Sequence, residues 1–346
     1  MRFKPISITT FCILLVSGCS SSRHDETETF YLVGTNTSVP YWQSVRAGLS
    51  NSAKDLHIKA EMVGPENYNP QQQLEILKGI VAKKPAGIMI SASDPVLLQD
   101  GIDAAIAAGI PVIAIDSDAP KSKRILFVGT NNYLAGLSGG QVLAKRLNNK
   151  GNVVVMTIAS QDNLAERLRG YQSALANTEI KIVQVIDVRG DATLAFDKSL
   201  ELIEGSKVRV DAFVGLDSTA GKSAAEVLDR NSVKGKIIVA MDADPATLEG
   251  IEKGTIAATI AQKPYTMGYY GLRVLDDLHH NKLVKLGANF GQDLRSPVPS
   301  AIDTGSTLID STNLGAIKGT ASNRFDAPRA LGLINWSSLY EPLSGH

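Results

Sequence analysis

The chain has 346 residues, 44% of them hydrophobic, and its charge balances, with 35 lysines and arginines against 35 aspartates and glutamates. At about 150 residues per domain such a length suggests two lobes, and an even balance with no basic block speaks against nucleic acid as a partner. The two cysteines, Cys12 and Cys19, both fall near the start, which leaves the folded part without a disulfide, a catalytic thiolate or a thiolate-held metal.

The first residues carry Arg2 and Lys4, and the uncharged run from Ile6 to Gly18 is shorter than the ~20 residues a membrane-spanning helix needs. It predicts a secretory signal over residues 1–18. The run ends in LLVSGCS, small residues directly before Cys19, an order that resembles a lipobox; Cys19 is then the lipidated first residue of the mature chain, anchored at an extracytoplasmic membrane surface. Residues 19–29, including SSSRHDETET, are polar and without apolar period, and are expected to form a tether in which His24 is solvated.

Beyond the tether, short runs rich in Val, Ile and Phe (FYLVG, GIMISA, PVIAID, ILFVG) alternate with helical patterns such as NPQQQLEILKGIVAKKP, where Leu74, Leu77 and Ile80 recur at spacing three. After Asn131 the rhythm restarts with NVVVMTIA, KIVQVIDV, DAFVGL, KIIVAMD and AATIAQ. Continuous apolar strands alternating with helices imply parallel sheets covered on both faces. The expected fold is α/β, with two doubly wound Rossmann-like lobes.

In such sheets ligands sit just past the carboxyl ends of the strands. There the apolar runs stop at Asp116, Asp217, Asp242 and Gln262, and Tyr41 and Trp42 follow the first run. One aspartate at such a place is often only a helix cap; three carboxylates, an amide and an aromatic pair at corresponding ends point to a site.

Three motifs invite other chemistry. GLDSTAGKS, residues 215–223, ends like a phosphate-binding loop, but that loop has four residues between its first glycine and the Gly-Lys pair, and Gly215 and Gly221 have one too many between them. Asp217 would also set a carboxylate against the phosphate, so Lys222 is read as a solvated helix residue. GLSGG, residues 136–140, matches a serine-hydrolase elbow, yet Ser138 lies inside a helical pattern with no histidine at a strand end. His279 and His280 are neighbours whose side chains leave a helix on different sides, and no metal site is assigned to them.

The segments VPYWQSVRAGL, GIPVIAIDSDAP, VGTNN, AERLRGYQSAL, IVAMDADPATLEGIEKGTIAATIAQKP and AIDTGSTLI, taken in order and spacing, resemble the ribose-type family of periplasmic sugar-binding proteins over roughly residues 30 to 310. That resemblance implies two lobes joined by three crossings, near Thr130, Gln262 and Pro299, that close on a sugar by a hinge and deliver it to an ABC importer. It places the first lobe at residues 30–130 and 263–299, the second at 131–262 and 300–315, and leaves an extension at 316–346. It puts the aromatic walls on Tyr41 and Trp42, carboxylates on Asp116, Asp217 and Asp242, the guanidinium on Arg167 and the hinge amide on Gln262. Ser117, Val39 and Gly190 stand where ribose binders carry arginine, asparagine and an aromatic residue, which points away from ribose itself. The resemblance implies no enzyme activity and no cofactor, and an ABC permease as partner to a monomer. Three nominated carboxylates against the single guanidinium of Arg167, with Ser117 in place of a second cation, make the expected cleft acidic, so the expected ligand is a small neutral sugar or polyol, with an amino sugar as second choice. The same fold also serves sensors that report to a histidine kinase or chemoreceptor, and the effector half of lactose-repressor-type regulators; the latter would carry a helix-turn-helix where this chain has its signal.

Overall fold

The computed structural model describes residues 24, 27–205, 209–281, 296 and 298–322; residues 1–18 with the expected signal, Cys19 and residues 323–346 lie outside them. Each apolar run becomes a short strand. Strands β1 (Thr29–Val33), β2 (Lys59–Val63), β3 (Gly87–Ile90), β4 (Val112–Ile115) and β5 (Phe127–Gly129) form one sheet, joined by a late strand, β11 (Ala301–Asp303). Strands β6 (Lys150–Thr157), β7 (Glu179–Asp187), β8 (Ala212–Gly215), β9 (Ile237–Met241) and β10 (Ala258–Ala261) form a second sheet with β12 (Thr307–Asp310). The orders, β11-β5-β4-β3-β1-β2 and β12-β10-β9-β8-β6-β7, are the same order twice. All pairings are parallel except β10 with β12, which departs from the all-parallel expectation.

The central strands β3, β4, β8 and β10 are buried along their whole length, as helices on both faces require. In the first lobe α1 (Pro40–Leu56), α2 (Pro70–Ala82) and α3 (Pro95–Ala107) follow β1, β2 and β3. In the second, α5 (Asp162–Leu175), α6 (Ala192–Glu204), α7 (Ala220–Arg230) and α8 (Pro245–Lys253) follow β6 to β9. Local signals start several of them: Asn69, Asp94, Asp191 and Asp244 accept bonds from the first free N–H groups, with proline opening α2, α3 and α8.

The helices after the first two crossings, α4 (Asn132–Arg146) and α9 (Pro264–His280), pack on α5 and α1 respectively. Both contacts depend on glycine. A Cβ on Gly136 would stand 2.0 Å from the Arg167 carbonyl oxygen, and one on Gly48 equally close to that of Tyr265. GLSGG is therefore a seam between helices, where backbones touch, and Ser138 lies within α4.

The chain passes between the sheets at Thr130–Asn131 and Gln262–Lys263, and a third time between β11 and β12. This corrects the third crossing from Pro299 to residues 304–306, because Ala301–Asp303 pairs with Phe127–Gly129 in the first sheet. Residues 301–303 thus belong to the first lobe, not the second. The first and third crossings are bonded together: Asp303 Oδ1 accepts from the Asn131 N–H at 3.0 Å, and the Thr304 N–H donates to the Gly129 carbonyl at 2.7 Å. Two smaller boundaries also move. Thr29 already pairs with Lys59 in the sheet, so it is not tether, and α10 (Leu314–Ser322), which packs on β12 and α8, carries the second lobe past residue 315.

Candidate functional site

The carboxyl ends of both sheets face a cleft containing about 500 Å³ of space, open solvent at its mouth included. Tyr41, Trp42, Asp116, Arg167, Asp217, Asp242 and Gln262 all line it. Six of these seven come from a strand end or a crossing or from the first turn of α1; Arg167 reaches in from the middle of α5.

Asp116 and Asp242 occupy the same place in their lobes, one residue past β4 and β9, with positive φ angles of 62° and 66°. Aspartate tolerates this left-handed backbone better than most residues, and the turn aims both carboxylates into the cleft. Asp116 accepts from the Tyr41 hydroxyl at 2.6 Å and from Ser91 Oγ at 2.8 Å. Asp242 accepts from Gln262 Nε2 at 3.0 Å, and the other end of that amide, Oε1, accepts from Arg167 Nη2 at 2.7 Å.

Arg167 is 2% exposed. Its fork is held by Asn132 Oδ1 at 2.8 Å and the Leu216 carbonyl at 2.6 Å in addition to Gln262. Asn132 and Gln262 lie at the first two crossings, so the guanidinium ties the hinge region to the second lobe's wall.

Burial dominates the electrostatics. It pushes the Asp242 carboxyl up to about 6, with the Asp116 charge adding to it and Arg167 and the Gln262 hydrogen bond opposing. Burial also raises the Asp116 carboxyl, against the hydrogen bonds from Tyr41 and Ser91. The Tyr41 hydroxyl is held well above its ordinary value by burial and then by the charges of Asp116 and Asp242. Tyr41 and Asp116 belong to one lobe and Asp242 to the other, so the two walls sense each other across the cleft. Among the lining residues there are three carboxylates and one guanidinium; Arg189 and Lys263 are not among them.

Two nominated residues have a second duty. Trp42 is only 2% exposed and packs in the first lobe's core, presenting little surface to the cleft. Both oxygens of Asp217 are engaged at the start of α7, by Thr219 Oγ1 at 2.5 Å and the Ala220 N–H at 2.9 Å. The glycines of GLDSTAGKS serve packing, since a Cβ on Gly221 would lie 2.6 Å from that of Ala240. Lys222 is not free in solvent: Nζ is 3.4 Å from Asp244 with a quarter of the side chain exposed.

The sequence did not mark out Thr35, Asn36, Gln161 and Asn163, polar residues that also line the cleft. Nor did it mark Tyr68, on the loop between β2 and α2, where the lobes meet. Its hydroxyl donates to the Ser93 carbonyl of its own lobe at 2.6 Å and touches Ser160 Oγ of the other, which itself donates to Ser93 at 3.0 Å. No sequence signal identifies a contact made only when two lobes come together.

Residues 30–282 match the family model described as periplasmic binding protein domain. The chain is 23% identical over 296 residues to the ribose import binding protein of Salmonella typhimurium, covering 85% of this chain and 98% of that one. Among solved structures it resembles a glucose-galactose binding protein from Geobacillus stearothermophilus, at 29% identity and a TM-score of 0.76 over 84% of this chain and 99% of that chain. It also resembles an ABC transporter solute binding protein from Burkholderia graminis in complex with D-arabinose, at 25% identity and a TM-score of 0.75, covering 84% and 97% of the two chains. These relatives are sugar-binding transport proteins, not enzymes. No helix among the described residues is long and apolar enough to cross a membrane.

Proposed function

Because this chain belongs to the periplasmic binding protein domain family, with the ribose-type sugar binders as its relatives, we propose that it captures one small neutral sugar or polyol in the interlobe cleft and delivers it to an ABC permease. The observation that carries this reading is the convergence of Asp116 with Tyr41 from one lobe, and Asp242, Gln262 and Arg167 from the other, on a single cleft. A sugar presents hydroxyl donors around its rim and C–H patches on its faces. Carboxylates take the hydroxyls, the remaining donors of the guanidinium supply the ring oxygens, and Tyr41 covers a face.

The charge of the cleft selects among sugars. Three carboxylates face one guanidinium, so a phosphorylated or acidic sugar would add a like charge to a poorly screened site. A neutral ligand satisfies the acceptors without that repulsion. The lobes then close about the crossings at Thr130–Asn131, Gln262 and residues 304–306, with Tyr68 and Ser160 meeting across the mouth. Cys19 holds the mature protein at the membrane as a lipidated monomer.

Calorimetry with a panel of neutral pentoses, hexoses and polyols, beside their phosphorylated, acidic and amino counterparts, tests the ligand class. A neutral compound should bind tightest; preference for an anion would refute the charge argument. Delivery is tested separately, by stimulation of the permease's ATPase with the loaded protein, and anchoring by release of Cys19→Ala from membranes.

A further inference from the structure

At the end of the first lobe away from the cleft, the residue preceding β1 meets the last turn of α9. Glu28 lies between the two adjacent histidines there: its Oε1 is 3.2 Å from His280 Nε2 and 3.6 Å from His279 Nε2. Consecutive helical side chains diverge by about 100°, so the sequence assigned them to different sides; both nevertheless reach the same carboxylate oxygen. The second oxygen, Oε2, is buried and has no hydrogen-bond partner.

The far side of His280 determines what the near side can do. Its Nδ1 is 2.9 Å from the Asp276 carbonyl oxygen and 3.1 Å from Asp276 Oδ1, two acceptors that together hold a proton on Nδ1. Asp276 is 1% exposed, and His24 Nε2 approaches the same Oδ1 at 3.1 Å. With Nδ1 donating, Nε2 of the neutral ring carries a lone pair, and that lone pair faces a carboxylate. Two acceptors at 3.2 Å require something cationic between them: a second proton, or a metal.

We propose that Glu28, His279 and His280 form a binding site for a divalent transition metal of the zinc type, with Asp276 orienting His280 from behind. Two imidazole nitrogens and a carboxylate are the donor set that zinc, cobalt and nickel prefer, with a fourth position left for water. With bonds of about 2.0–2.1 Å, ligand atoms at the corners of a tetrahedron are about 3.4 Å apart, and the two measured separations bracket that value. A carboxylate or carbonyl accepting from the far nitrogen of a ligating histidine is the usual supporting arrangement at such centres. Here Asp276 supplies both.

The site stands at the base of the tether. His24, expected to be a solvated linker residue, instead packs edge-on against His280 with ring centroids 4.9 Å apart and bonds Asp276. A metal that stiffens the Glu28–His279–His280 group therefore also fixes the point from which the chain runs to its membrane anchor. Because β1 separates the site from the cleft, metal and sugar occupy opposite ends of the lobe and do not compete.

The test uses the full chain without a polyhistidine tag, stripped with a chelator, then titrated with zinc by calorimetry and with cobalt by visible absorption. One equivalent should bind with a Kd of about 1 µM or tighter, with a tetrahedral cobalt spectrum and a higher Tm. His279→Ala and Glu28→Gln should each abolish the cobalt spectrum, and Asp276→Asn should weaken zinc roughly 10- to 100-fold, while sugar affinity of every variant stays at the wild-type level and confirms folding. Absence of binding, or zinc affinity that survives His279→Ala and Glu28→Gln, would overturn the proposal. A His280 ring found doubly protonated at neutral pH and indifferent to added zinc would overturn it too, because the second proton would then fill the place assigned to the metal.

Discussion

The two walls of the cleft start from the same plan and end with different chemistry. Asp116 and Asp242 follow equivalent strands, share a left-handed backbone, and each donates its N–H to the next strand, to Val128 O at 3.1 Å and Ile260 O at 3.0 Å. Around Asp116 the partners are hydroxyls, Tyr41 and Ser91; around Asp242 they are an amide and, through it, a buried guanidinium. A repeated fold therefore fixes where a side chain points, while its neighbours from the following helix and crossing decide how it behaves. The second wall is the more interconnected, and changes there should reach further.

The largest effect is expected for Arg167→Ala. It strands Asn132, Gln262 and the Leu216 carbonyl at once, and should destabilise the protein by about 3 kcal/mol with loss of detectable sugar binding; denaturant unfolding and calorimetry check both. Arg167→Lys keeps the charge but not the fork, and should rescue stability only in part.

Asp242→Asn separates stability from function. The folded carboxyl sits at about 6, above the ordinary 3.8, so its protonation favours the folded state: that contribution is fully present below about 3.8 and is lost as pH rises through about 6. At pH 7 the asparagine variant, which suits a positive φ and keeps the Gln262 bond, should be more stable by on the order of 1–3 kcal/mol. It should lose roughly ten- to a hundredfold in sugar affinity, the equivalent of one charged hydrogen bond. Wild-type affinity should fall as pH drops through about 6, and this variant should lack that step. Thermal unfolding and calorimetry across pH read the two effects.

Asp217→Ala should divide its effect between helix and ligand, because both oxygens already serve the start of α7. About 1 kcal/mol of stability should be lost with these hydrogen bonds, seen as a lower denaturation midpoint. Tyr68→Phe removes the Tyr68–Ser160 contact between lobes, leaving the Ser160–Ser93 bond and both aspartates in place, and should weaken binding by a factor of about five, the worth of one neutral hydrogen bond. Lys222→Ala, at the margin of the second wall, should change affinity and stability by less than about 0.5 kcal/mol.

What could be read from the sequence follows from range. Strand ends were legible because an apolar run stops at a definite residue, and Asp116, Asp242 and Gln262 are each the residue next after a strand. The Walker-like and hydrolase-like motifs could be dismissed on spacing and helical context alone. The third crossing was misplaced because β11 is three residues long, Ala301–Asp303, with two of them exposed; such an edge strand has too little apolar pattern to claim a sheet. Trp42 and Asp217 were legible as cleft residues, but whether a ring faces the core or a carboxylate turns to its own helix depends on rotamers and not on position. The histidine cluster joins residues 252 apart, and the Tyr68 contact joins two lobes. No local pattern announces either.

The central claim is that one sugar is held from both walls at once. It is tested most directly by the Kd of the best neutral ligand measured by calorimetry at pH 7 for the wild type, Asp116→Asn and Asp242→Asn. Each variant should lose at least about tenfold. If either aspartate can be replaced with no loss of affinity, the ligand rests on one lobe alone, and the closing cleft is wrong.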